Sequence, residues 1–118
     1  MTGDLASVAV ERRGHAAVAR LSGEVDLSNA AAVEDAVTGE LTGVRAVALD
    51  LGGLRYLDSA GLALLSRLAT RCDDGGTALR LVVPAGAVVR RAVTVSGLDT
   101  VIPVDETLEA ALSTLDTD

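Results

Sequence analysis

The 118-residue sequence has no lysine, phenylalanine or tryptophan, and Tyr56 is its only aromatic residue. A core must therefore be packed from Val, Leu, Ala and Ile, and no aromatic platform exists on which nucleic acid bases could stack. All ten basic residues are arginines; seventeen acidic residues outnumber them and leave a net charge of −7. Such a surface repels a phosphate backbone, which argues against DNA or RNA as a direct partner. A single cysteine, Cys72, excludes an internal disulfide framework and suits a reducing compartment. One cysteine and one histidine, His15, with no short-range spacing, cannot make a zinc site. No apolar run approaches the roughly 20 residues of a membrane span, and the N-terminal segment lacks the cationic-then-apolar pattern of a leader. The expectation is a cytoplasmic chain with no cofactor, no metal and no membrane partner. Nothing demands a dimer, so a monomer is the simpler expectation.

The length suits one domain, spanning 1–118, that can bury a core without disulfides or metal. Short apolar runs at Ser7–Glu11 and Ala16–Leu21 flank Arg12-Arg13-Gly14-His15, a hairpin turn containing glycine. Ala30, Val33, Val37 and Leu41 form a helical stripe, with Ser28 or Asp26 before it as a cap. Val44–Leu51 is nearly all apolar and reads as a central strand buried on both faces, ended by a turn at Gly52-Gly53. A second helix starts near Ser59, with Leu62, Leu65, Leu68, Ala69 and Cys72 on its inner face, and stops at Asp73-Asp74-Gly75-Gly76. Ala78–Val83 is a strand. Val88, Ala92 and Val95 suggest a third helix closed by Gly97. Val101–Val104, which holds Pro103, is an edge strand. Asp105 then caps a last helix with Leu108, Ala111, Leu112 and Leu115 inward. The order β-β-α-β-α-β-α-β-α predicts an α/β fold: a mixed, mostly parallel sheet of four to five strands with about four helices, mainly on one face.

Catalysis finds little support. Ser59 lies between a strand and a helix, as in a nucleophile elbow, but that turn needs glycine two residues upstream and Leu57 stands there. His15, the only histidine, sits in the first turn, so a Ser-His-Asp arrangement has no base. Neither a Walker-type loop nor a G-x-G-x-x-G run is present. The remaining feature is Asp58-Ser59-Ala60-Gly61-Leu62. If Asp58 caps the second helix, the Ser59 hydroxyl sits at the positive end of the helix dipole, where a phosphate would meet unpaired backbone N–H groups. A phosphate there adds roughly −1.5 to −2 charge beside a carboxylate, enough to repel a docked partner. Read from spacing alone, the same residues are first of all an ordinary helix cap.

These residues resemble the D-S-[SA]-G-[LIVM] signature of the STAS-domain anti-sigma factor antagonists. Gly23-Glu24-Val25-Asp26 is similar to the family's G-E-[LIV]-D motif, and Ser96-Gly97-Leu98 to its late S-G-L segment. The resemblance runs over nearly the whole chain in the right order. It implies a partner-switching cycle. Unphosphorylated, such a domain binds a serine kinase that doubles as an anti-sigma factor, and so frees a sigma factor. The kinase phosphorylates the motif serine, here Ser59, and binding is lost until a PP2C-type phosphatase restores it. The resemblance further implies that Asp26 and Asp58 contact or orient the kinase. The helical pattern adds Ala60, Ala63, Leu64 and Arg67 as an outward docking patch beside Ser59. The alternative is a STAS subunit of a transport or scaffold assembly in which Ser59 is only a helix cap.

Overall fold

The computed structural model describes residues 5–116; the first four residues of the segment inspected for a leader lie outside them. Five strands line up in chain order: β1 (Ala6–Arg13), β2 (Ala16–Val25), β3 (Ala46–Leu57), β4 (Ala78–Val82) and β5 (Val104–Asp105). β1 and β2 form the antiparallel hairpin, turning at Gly14 with φ +62°, and every later neighbour pairs in parallel. The mixed, mostly parallel sheet is as the element order predicted.

Period-two alternation on β2, β3 and β4 sends side chains to two different layers. Ala19, Leu21, Leu49, Leu51, Leu81 and Val83 face α1 (Ala30–Thr38), α2 (Ser59–Asp74) and α3 (Arg90–Val95). Ala16, Val18, Ala46, Ala48 and Val82 face the opposite way and are covered by Ala111 and Leu115 of α4 (Leu108–Leu115). Helices thus lie mainly on one face. The smaller layer uses alanine where the larger uses leucine, which lets one short helix suffice there. No polar or charged side chain is buried among the described residues. The central strand, read as buried on both faces, has Val47, Ala48, Leu49 and Leu51 essentially inaccessible.

Six local readings are corrected. The edge strand is Val104–Asp105 rather than Val101–Val104, and Leu41 lies beyond α1, which ends at Thr38. Gly52-Gly53 is not a turn: β3 runs through both glycines to Leu57. Its partner β2 shifts register there, and a Cβ on Gly53 would lie 3.0 Å from the Ser22 Cβ and 3.2 Å from the Leu21 carbonyl oxygen. The glycine serves close strand approach at an irregularity in the ladder. In the third helix the inward residues are Val89 and Val93, while Val88 and Val95 are exposed. Asp105 does not cap α4; it lies in β5, paired with Arg80, and Thr107 accepts the Ala110 N–H in its place. Finally, neither Ser28 nor Asp26 caps α1 by its side chain. Asn29 holds the cap position, and its side chain instead ties the loop together.

Candidate functional site

Parallel β2 and β3 end side by side, with Val25 paired to Leu57. The residues that follow, Asp26 and Asp58, are therefore delivered to the same rim of the sheet, and the Asp58 N–H donates to the Val25 carbonyl at 3.3 Å. Asp58 is the N-cap of α2: its Oδ1 accepts the Ala60 N–H at 2.9 Å and the Gly61 N–H at 3.1 Å. Ser59 is the first helical residue and is exposed. Two first-turn donors are thus already bound to a carboxylate. This corrects the expectation that a phosphate would meet them unpaired: a phosphoryl group on Ser59 would be repelled by Asp58 and directed to solvent. Removing the cap with Asp58→Ala should cost about 1 kcal/mol, read as a lowered urea midpoint with an unchanged slope.

Asp26 is half-buried, and its carboxylate accepts both the backbone N–H and the hydroxyl of Ser28. Its own N–H donates to Asn29 Oδ1 at 2.9 Å, while Asn29 Nδ2 donates to the Glu24 carbonyl at 2.9 Å. This bonded loop leaves Leu27 standing outward, 83% exposed. Tyr56, opposite Glu24 in the ladder, is 49% exposed on the same rim. The sequence reading missed both. The sole aromatic residue, placed just before the Asp-Ser pair, was the signal available for Tyr56.

The motif glycines have steric reasons. A Cβ on Gly61 would lie 2.3 Å from the Leu57 Cδ1 and 3.3 Å from the Val25 Cγ1, because α2 starts directly against the strand ends. Gly23 has φ +89°, and a Cβ there would lie 2.1 Å from the Leu5 carbonyl oxygen.

The docking patch expected on α2 survives only in part. Ala63 is exposed and Ala60 half-buried, but Leu64 is 0% exposed and offers no surface. The buried stripe is Gly61, Leu64, Leu65, Leu68 and Cys72, with Leu62 and Ala69 at its margin. It is turned from the expected one because α1 lies along that flank. Arg67, one turn beyond Leu64 on the helix surface, reaches α1 and pairs with Glu34 at 2.8 Å. Arg67 is exposed but already engaged. His15 lies in the β1–β2 turn, at the opposite end of β2 from Asp26 and Ser59. Burial pushes the Cys72 thiol up, with the Arg71 charge working the other way, so its nucleophilic thiolate is disfavoured.

The family model of the STAS domain matches residues 7–111. The chain belongs to the STAS domain family. The anti-sigma-F factor antagonist RsfB of Mycobacterium tuberculosis is 37% identical over 112 residues, covering 93% of this chain and 89% of that protein. The crystal structure of an anti-sigma factor antagonist from Mycobacterium paratuberculosis superposes with a TM-score of 0.78 at 29% identity, covering 96% of each chain. Unphosphorylated SpoIIAA of Bacillus shares the fold, with a TM-score of 0.76 at 20% identity over 95% of this chain and 98% of that one. No helix among the described residues is long and apolar enough to cross a membrane.

Proposed function

We propose that this chain, acting as one STAS domain over 1–118, is a cytoplasmic anti-sigma factor antagonist switched by phosphorylation of Ser59. Unmodified, it binds an anti-sigma serine kinase and releases the sigma factor. The kinase transfers the γ-phosphoryl group of ATP to Ser59 Oγ; the hydroxyl proton is lost and ADP leaves. A PP2C-type phosphatase hydrolyses the phosphoester and restores the hydroxyl. The domain itself is substrate and ligand, with no catalytic group. The similarity to RsfB and to the M. paratuberculosis antagonist supports the class of partner.

The observation that carries this reading is the placing of Ser59. Its hydroxyl is exposed at the start of a helix whose cap is a carboxylate, on a rim that also presents the Asp26 loop. A cap alone accounts for Asp58, which makes both capping bonds; it does not require an exposed serine next to it. The dianion of phosphoserine beside Asp58 and Asp26 turns the rim strongly negative, and a partner packed there loses its complementarity.

With Leu64 buried, the apolar part of the docking surface is assigned to Leu27 and Tyr56, exposed on the rim that carries Ser59, with Ala60, Ala63 and Arg67 along the helix. Leu27→Arg should fold normally and weaken the kinase complex at least tenfold. Leu64→Arg should instead lose the native fold, since it places an unpaired charge in the core. Circular dichroism melts separate the two before any titration. A folded Leu27→Arg with full affinity contradicts the surface.

A further inference from the structure

The far edge of the sheet is left half-built. We propose that the open edge at the start of β4, Ala78 to Arg80, is a docking slot for an extended, basic segment of another polypeptide, added as a strand in line with β5. In this ladder the odd-numbered residues of β4 point their backbone groups outward. The Leu81 N–H donates to the Pro103 carbonyl and the Val83 N–H to the Asp105 carbonyl, while the Ala78 N–H donates inward to the Arg45 carbonyl. The next outward residue is Leu79. In a parallel ladder its carbonyl would accept the N–H of residue 103, but Pro103 has none. The chain before it curls into a 3-10 turn at Leu98–Thr100, with the Ile102 N–H donating to the Leu98 carbonyl. Pairing of β4 with β5 accordingly stops at Leu81 and Val104, and the outward N–H and C=O of Leu79 have no strand beside them among the described residues.

This edge lines a groove of about 520 Å³, bounded by Ala69, Cys72 and Asp73 of α2 on one face of the sheet, by Thr114 and Leu115 of α4 on the other, and by Val101–Pro103 on the approach to β5. Walls on both faces of the sheet admit a single extended chain lying in the sheet plane. A second folded copy would bring its own helices against α2 and α4. Backbone pairing to a sheet edge, with alternate side chains entering separate pockets, is an established way of capturing extended peptides. Charge selects among them. The Arg80 guanidinium is consumed by Asp105, at 2.6 and 3.3 Å. Asp73 has no ion-pair partner among the described residues, and the chain carries −7 overall. A basic segment is therefore favoured. The slot lies at the end of the parallel strands opposite Ser59, so it stands independently of the switch.

The test is an NMR titration of the isotope-labelled 118-residue chain with a capped pentapeptide alternating valine and arginine. A second titration uses the same peptide N-methylated on the nitrogens that would pair with the edge. Saturable shifts should centre on 77–80 and 101–104, and exchange of the Leu79 amide should slow at least tenfold at saturation. The N-methylated peptide should bind at least tenfold more weakly. Val101→Arg, at an exposed site on the groove rim, should keep the fold and lose the peptide, and Ser59→Asp should bind it unchanged. The proposal is overturned by absence of saturable shifts at 77–80, by equal binding of the N-methylated peptide, or by full binding to folded Val101→Arg.

Discussion

Ser59→Asp is expected to fold as the unmodified protein does and to bind the anti-sigma kinase at least tenfold more weakly, while Ser59→Ala keeps full affinity. A carboxylate at the first helical position is compatible with the helix dipole, so the fold is not the target of the change. The loss arises at the rim, where the new charge joins Asp58, already holding the Ala60 and Gly61 N–H groups, and Asp26, already holding Ser28. Neither carboxylate is in an ion pair among the described residues; Arg67 is engaged with Glu34 and Arg55 with Glu24. Aspartate carries one charge where phosphoserine carries nearly two, so the mimic is partial. A cost of about 1–3 kcal/mol follows for a packed interface, roughly tenfold or more in affinity. Alanine removes one exposed hydroxyl and adds no charge. Calorimetric titration of both variants against the kinase, with nucleotide present and thermal stability matched, reads the difference. Equal affinity of Ser59→Asp and the unmodified protein would rule out charge as the cause of release.

Gly23→Ala should be among the most destabilising single-methyl changes in the domain, at about 3 kcal/mol. Two effects combine. A φ of +89° is unfavourable for any residue with a Cβ, by about 1–2 kcal/mol. The methyl also meets the backbone oxygen of Leu5 at 2.1 Å, while the neighbouring Glu24 N–H donates to that same oxygen at 2.8 Å; overpacking of this kind costs about 1–3 kcal/mol. Neither backbone can retreat without opening the β1–β2 ladder at Ala6. Gly14→Ala is the control: it too has positive φ, +62°, but open space around it, so it should lose only the conformational part, about 1–2 kcal/mol. Urea unfolding of the pair isolates the close approach; equal midpoints would show that the steric contact relaxes freely. Since a small domain holds only about 5–15 kcal/mol in all, Gly23→Ala should also lower the yield of folded protein.

The order of elements was legible because this core is built almost entirely from Val, Leu, Ala and Ile, whose spacing reports helix or strand directly. The long apolar run of the central strand and the stripe of α1 from Ala30 to Val37 needed no tertiary knowledge. Asp58 as cap and Ser59 as first helical residue were also legible, since an N-cap acts on its own chain within three residues. Readings that depended on a neighbour were not. Leu64 is buried on the flank of α2 from which Arg67 reaches Glu34 of α1. Gly52-Gly53 has the composition of a turn, and its use for close approach to Ser22 depends on the β2–β3 register. Asp105 is an ordinary capping residue by sequence, but Arg80 from the adjacent strand captures it. Leu27 was passed over because one isolated leucine in a polar loop carries no period; only the bonding of Asp26, Ser28 and Asn29 fixes it outward.

The account rests on Ser59 being the residue whose modification switches partner binding. The most direct measurement incubates the protein with candidate anti-sigma serine kinases and ATP, follows intact mass, and then assays the purified product for complex formation. The account predicts one phosphoryl group per chain, none on Ser59→Ala, and a modified protein that no longer binds the kinase until a PP2C-type phosphatase treats it. Undiminished incorporation into Ser59→Ala, or a singly phosphorylated protein that binds the kinase as well as before, would contradict it.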